Sequence, residues 1–185
     1  TVQFQKGLSM VEFMNCYGTE EKCHAVVVAQ RWPTGFVCPA CGETRHCTFE
    51  RKGLTYWQCS ACREQTTVMC GTVFEATKLP LTIWFLAMHL LTQAKNNVSA
   101  LELKRHLGVS YPTAWLLKHK LMQTMLLREE SRPLQGSVEI DDAYLGGERE
   151  GHINGGRKAA NKTAFVAAIQ TSDDGHPLWM RLTPV

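Results

Sequence analysis

The stretch Val138-Glu139-Ile140-Asp141-Asp142-Ala143-Tyr144-Leu145-Gly146-Gly147 decides how the rest of the chain is read, because an apolar strand there carries acids and stops at two glycines. Side chains alternate across a strand, so Val138, Ile140 and Tyr144 share one face. Glu139, Asp141, Ala143 and Leu145 share the other. Asp142 falls on the apolar face, where a carboxylate is costly unless paired. Asp141 is therefore the better candidate for a functional acid, with Glu139 as its neighbour on the same face. The window also fits a half-exposed strand whose acids are simply solvated.

Downstream, Gly146 to Lys162 is glycine-rich and polar, with Arg149, His152, Arg157, Lys158 and Lys162. This composition predicts a mobile connecting loop. Contacts from its cations to a DNA backbone are the secondary reading. Thr163 to Thr171 and Pro177 to Thr183 read as strands around Asp173-Asp174-Gly175, a turn sequence that also takes in His176. Upstream, Arg132-Pro133 and Gln135-Gly136 mark a boundary.

Before that boundary, Ser99-Ala100-Leu101-Glu102 reads as a capping box, with the serine bonding the helix amide and the glutamate reaching back. The helix it starts runs to Leu107 and stops at Gly108. A second helix starts at Ser110, tolerates Pro112 in its first turn and turns Ala114, Leu117 and Leu121 inward. Helix, short glycine-containing turn and helix predict a helix-turn-helix. Ser110, Tyr111, Thr113 and Lys118 would face outward to a major groove. Lys104, Arg105, Lys118, Lys120 and Arg128 meet a single acid, Glu102, across this stretch, which suits phosphate contacts. An ordinary helical hairpin with a solvated basic face fits the same spacing. Leu81, Trp84, Phe85, Met88 and Leu91 repeat at helical spacing after Pro80 and predict a core helix that Asn96 and Asn97 break.

Cys38-Pro39-Ala40-Cys41, seventeen residues, then Cys59-Ser60-Ala61-Cys62 is the most specific spacing in the chain. Each pair makes a knuckle, and the segment ending Tyr56-Trp57-Gln58 suits a short hairpin between them. Four thiolates fill a tetrahedral zinc site and leave no position for substrate, so the zinc is expected to be structural. A redox role for a single Cys-x-x-Cys is the competing reading. His46, Cys47 and Cys70 are expected to be bystanders, and Cys16 and Cys23 buried free thiols on two N-terminal helices near Ser9–Cys16 and Glu20–Arg31. Cys23-His24 has no further ligands nearby in sequence.

With 185 residues and 44% hydrophobic content the chain is long enough for one medium domain or several small modules. No apolar run nears the ~20 residues needed to span a bilayer, and no basic segment followed by an apolar core opens the chain, which predicts an intracellular protein without membrane association. A net charge of +3 permits nucleic-acid binding without requiring it.

Taken in order, Arg31-Trp32-Pro33-Thr34-Gly35-Phe36-Val37-Cys38-Pro39-Ala40-Cys41-Gly42, the second knuckle, Gly71-Thr72-Val73-Phe74, Leu107-Gly108-Val109-Ser110-Tyr111-Pro112-Thr113-Ala114-Trp115 and the acidic strand resemble the ISXO-like bacterial insertion-sequence transposases. The resemblance runs from about residue 8 to the end. It implies a multi-domain α+β protein: an N-terminal helical segment over 1–36, a zinc ribbon over 37–70, and a helical region over 71–132 with the helix-turn-helix at 98–127. The first three strands of an RNase H-like α/β domain would follow over 133–185. It implies that Asp141 is the first of the DDE-type catalytic acids, holding magnesium or manganese for DNA strand cleavage and transfer. Implied partners are terminal inverted repeats, target DNA and further copies of the chain on DNA, in the cytoplasm at the nucleoid. The second and third acids of that pattern belong on later elements. Glu148, Glu150, Asp173 and Asp174 sit in expected loops and turns and take neither role. The 185 residues are thus expected to be a truncated catalytic domain that binds zinc and DNA without cutting, with the strand Leu178 to Val185 left without a sheet. Metal-dependent cutting by this product that vanished in Asp141→Ala would contradict that expectation. A non-catalytic zinc-ribbon and helix-turn-helix regulator explains the first 130 residues equally well, and a zinc-ribbon protein-interaction module is a third reading.

Overall fold

The computed structural model describes residues 7–94, 97–146 and 162–185. Most of the glycine-rich segment after the acidic strand, with Arg149, His152, Arg157 and Lys158, lies outside the described residues, as do Glu148, Glu150 and Asn96. The chain divides into two compact units, residues 1–124 and 125–185.

In the first unit, α1 (Met10–Tyr17) starts at a full capping box: Ser9 accepts from the Glu12 amide and Glu12 returns to the Ser9 amide. Helix α2 (Glu20–Arg31) is capped by Thr19. Three antiparallel strands follow, β1 (His46–Arg51), β2 (Leu54–Cys59) and β3 (Gln65–Thr67), in that order across the sheet. Lys52 and Gly53, at φ 54° and 72°, form the two-residue turn between β1 and β2, the mirror-image geometry that matches strand twist. Phe74 then packs edge-on against Trp84 of α3 (Leu81–Gln93), at 5.4 Å between ring centres.

Helix α3 begins at Pro80, which has no side chain to cap it. The cap comes from 61 residues away: Glu20 accepts from the Leu81 amide at 2.8 Å and from the Thr82 amide at 3.1 Å. Its negative charge also suits the positive end of the helix dipole. Glu20 thus serves α3 as well as opening α2. Helix α3 stops at Gln93, before the expected break at Asn97, which holds a left-handed φ of 65°.

Helix α4 (Ala100–Leu107) ends at Gly108 in the left-handed region at φ 66°, as its sequence predicts. Ser99 caps it by accepting from the Glu102 amide at 3.1 Å, but the expected return bond from Glu102 is replaced. The Glu102 carboxylate lies 3.9 Å from His106 Nε2, one turn along the same helix. After Gly108, Val109 and Ser110, α5 runs from Tyr111 to Glu130.

One continuous core joins these parts. Cys23 and Val27 of α2, Trp32, Phe36, Trp57, Phe74, Trp84, Leu103 and Leu107 of α4, and Ala114, Leu117 and Leu121 of α5 belong to a single buried cluster. The ribbon has too little apolar surface to close a core of its own and lays Trp57 against Trp32, 4.9 Å between ring centres. Arg31 strengthens this junction by donating to the Val68 and Cys70 carbonyls.

In the second unit, β4 (Ser137–Leu145), β5 (Thr163–Thr171) and β6 (Pro177–Pro184) form an antiparallel sheet with β5 central. The turn at Asp173-Asp174-Gly175 closes as the sequence predicts, with Gly175 at φ 77° and Ser172 N–H donating to the His176 carbonyl at 2.8 Å. The final strand is not left without a sheet: β6 pairs with β5 from Phe165 opposite Pro184 to Thr171 opposite Pro177. The hairpin turn brings it there, and β5 satisfies its backbone. Arg181 fastens the end of α5 to this sheet by donating to the carbonyls of Glu129, Glu130 and Arg132. Arg132 in turn lies 4.3 Å over the Trp179 ring.

Candidate metal centre, acidic strand and DNA-facing helices

Cys38, Cys41, Cys59 and Cys62 converge, with all four sulfurs within 4.8 Å of one another. The closest pairs are Cys38 with Cys62 at 3.5 Å, Cys41 with Cys59 at 3.5 Å and Cys41 with Cys62 at 3.4 Å. Four sulfurs about 2.3 Å from one zinc ion would stand about 3.8 Å apart, so this cluster needs only a slight expansion to hold one. All four are free thiols. The donor set fits a structural zinc ion and leaves none of its four positions open.

The two knuckles share one backbone design. The Cys38 amide donates to the Glu43 carbonyl and the Cys59 amide to the Glu64 carbonyl, both at 2.9 Å. Gly42 and Arg63, each one residue past the second cysteine of its pair, take left-handed φ values of 76° and 66°. That conformation is free for Gly42 and strained for Arg63.

Backbone amides aim at the sulfurs. At Cys59 the Cys62 amide leads in pulling the thiol down to about 7, against the cost of burial. At Cys62 the Glu64 amide acts in the same direction, but the Cys41 sulfur, burial and the Cys38 and Cys59 sulfurs outweigh it and push the thiol up to about 12. At Cys41 the Glu43 amide and the Cys62 sulfur pull the thiol down, but Cys59, burial and Cys38 raise it overall. The Cys59 thiol thus gives up its proton more readily than those of Cys41 and Cys62, which neighbouring sulfurs and burial hold protonated. Among the described residues these cysteines are the group of three or more metal-ligating side chains that could share an ion. His46 Nδ1 donates to the Thr44 carbonyl, Cys47 lies near the Gln58 carbonyl and Cys23 near the Tyr17 carbonyl, all apart from this cluster. Cys16 is exposed, against the expectation of a buried thiol, whereas Cys23 is buried.

Asp141 sits mid-strand on β4, opposite Ala167 of β5, and Ala167 faces Leu182 of β6. Its Oδ1 accepts from the Asp142 amide at 2.8 Å. Glu139 and Ala143 share its face, as the alternation predicts. Among the described residues neither face of the sheet is buried, however: Ile140 is 69% exposed and Leu145 71%. The apolar side that would penalise Asp142 is therefore uncovered among the described residues, and Asp142 is itself exposed. The two neighbouring aspartates differ here in the face they occupy. Asp173 and Asp174 lie in the β5–β6 turn.

Ser110, just before α5, and Tyr111 at its start are exposed, whereas Thr113 and Lys118, expected to face outward, are half-buried. Buried Ala114, Leu117 and Leu121 define the inward stripe, and at 3.6 residues per turn Thr113 and Lys118 fall about 70° to either side of it. Thr113 is also committed locally, its Oγ1 lying 2.8 Å from Ser110 Oγ, which caps the helix. Lys104, Arg105 and Lys120 are exposed. No described helix is long and apolar enough to cross a membrane.

A four-cysteine metal centre on a small antiparallel sheet, joined to helices and followed by a second antiparallel sheet with exposed acids, defines a mixed α and β protein of the zinc-ribbon class. The transposase zinc-ribbon domain family matches residues 18–65, and the ISXO2-like transposase domain family matches residues 133–185. The two matches, in this order along the chain, support an ISXO-like transposase family. It is 32% identical over 135 residues to an uncharacterized protein in transposable element ISH50 of Halobacterium salinarum, over 68% of this chain and 42% of that protein. The chain therefore spans less than half the length of that relative. No solved structure matches the chain.

Proposed function

We propose that this chain serves a DDE-type transposase of an insertion sequence, which binds the ends of its element and cuts and joins DNA strands. The observation that carries the reading is the order of parts: a zinc-ribbon match ahead of an ISXO2-like transposase match, with Asp141 exposed in the middle of the first strand of that second region. In this reading residues 37–70 are the ribbon, 98–127 a helix-turn-helix, and 133–185 the opening strands of an RNase H-like domain. Zinc on Cys38, Cys41, Cys59 and Cys62 holds the ribbon on the core of the helices.

Asp141 is the first catalytic carboxylate. Magnesium or manganese ions would supply the activation of water or a 3′-hydroxyl and the stabilisation of the leaving oxygen. Asp141 is exposed opposite the small Ala167, so its carboxylate is accessible to an ion and a phosphate. Magnesium commonly takes one or two protein carboxylates and completes its shell with water and phosphate, so Asp141 fits the role of one such ligand. Ser110, Tyr111, Thr113 and Lys118 lie on or beside the helix that would enter the major groove, while Lys104 and Arg105 on α4 would meet phosphates. The DNA partners would be the terminal inverted repeats and the target, bound by more than one copy.

The test is strand cleavage of duplexes ending in the element's terminal repeat by the full-length gene product. Cuts at the element end that require magnesium or manganese are expected. Specific binding with no metal-dependent cut would overturn the reading in favour of a DNA-binding regulator.

A further inference from the structure

We infer that Trp115 and His119 form the base-reading face of α5; the inference rests on the proposed DNA binding by α4 and α5. Helix geometry sets the direction. The stripe opposite Ala114, Leu117 and Leu121 passes through Pro112, Trp115 and His119, one turn apart along the first three turns of the helix. Trp115 is 47% exposed and His119 is exposed, and their rings lie 4.0 Å apart at 42°. The groove entered by such a helix meets the residues of its N-terminal turns, and these two occupy that position.

The occupant is duplex DNA on grounds of charge. Residues 99–128 carry five Lys and Arg side chains and one acid, Glu102, and Lys104 and Arg105 project from the preceding helix. A polyanion suits that surface, whereas an acid-free apolar partner would leave the cations idle. The chemistry of the pair suits base edges. The indole ring offers a flat apolar surface to a thymine methyl group, and imidazole can donate to purine N7 or guanine O6, or accept from the exocyclic amine of adenine or cytosine. The ring contact fixes the two side chains relative to each other, so less side-chain freedom is lost on binding. Thr113 is turned away by its bond to Ser110 and by the crevice it lines with Leu79 and Trp84. Lys118 reaches the groove only from the flank, as a phosphate contact.

The experiment selects a preferred duplex from a randomised pool with the 185-residue chain, then compares affinity for that duplex and a scrambled one. Trp115→Ala and His119→Ala are each expected to lose roughly 5- to 150-fold on the preferred duplex, the range for one lost base contact, with scrambled binding unchanged. His119→Gln, which keeps a donor and an acceptor, should retain part of the preference. The double variant Lys104→Ala with Arg105→Ala should weaken both duplexes alike and lower the salt slope by about 2. Unchanged far-UV circular dichroism and zinc content accompany the expected result, since the substituted side chains are exposed. If both alanine variants keep the wild-type preference while the Lys104/Arg105 variant loses binding, this inference fails and DNA binding stands. If the wild-type chain binds no duplex in a salt-dependent way, both fall.

Discussion

Removing the zinc ion tests how far the ribbon supports the helices around it. Cys38 and Cys59 are 2% and 0% exposed and sit in the same cluster as Trp32, Phe36 and Trp57, so the metal centre borders the core directly. Structural zinc binding is worth on the order of 10 kcal/mol or more, against a typical domain stability of about 5–15 kcal/mol. Cys59→Ser replaces one of four thiolates with a hydroxyl, a poorer ligand that also disturbs the backbone bond to Glu64. If only about 3 kcal/mol of the metal's contribution reaches the shared core, the melting temperature falls by about 10–20 °C. Metal analysis of the purified protein should give one zinc per chain, and about none for Cys59→Ser. Near-UV circular dichroism should lose the signal of the Trp32–Trp57 contact in the variant and in protein stripped by a chelator. Cys70→Ser, exposed and outside the cluster, is the control and should match wild type. An unchanged melting temperature and tryptophan signal in metal-free protein would refute the claim that the ribbon and helices share one core.

Other parts of the fold give sharper single-residue tests. Glu20→Ala removes the cap of α3 and should cost about 1 kcal/mol by denaturant unfolding, whereas Glu21→Ala, one residue along the same turn, should cost less. Gly42→Ala should destabilise the metal-bound protein by about 1 kcal/mol, because a side chain at its φ of 76° is strained. Arg63→Gly at the matching position should be neutral or stabilising, read from the same melts. Arg181→Ala frees three carbonyls at the end of α5 and should raise hydrogen exchange in Glu129 to Arg132 and in β6, with a loss of about 1 kcal/mol.

Local chemistry made much of this fold legible. The Ser99 and Gly108 caps, the paired knuckles and the Asp173-Asp174-Gly175 turn are signals within a few residues of the structure they create, and each forms. Contacts between distant residues were not legible. Nothing near Glu20 announces a bond to Leu81, and the short strand β3 exists only because β2 lies beside it. The half-burial of Thr113 and Lys118 on α5 was not legible, because three inward residues fix a stripe only when the whole helical wheel is drawn around them. At Asp141 the alternation of the strand was readable, but among the described residues no burial of either face separates it from Asp142.

The comparison of Asp141→Asn with Asp142→Asn in metal-dependent cleavage of element-end duplexes by the full-length gene product bears most directly on the proposed catalysis. Both substitutions remove one charge at adjacent exposed positions, so general electrostatic and folding effects are matched. Asp141→Asn is expected to abolish cutting while zinc content and duplex binding persist, and Asp142→Asn to keep it. Cutting that survives in Asp141→Asn, or is lost equally in both, would contradict the assignment of the first catalytic carboxylate.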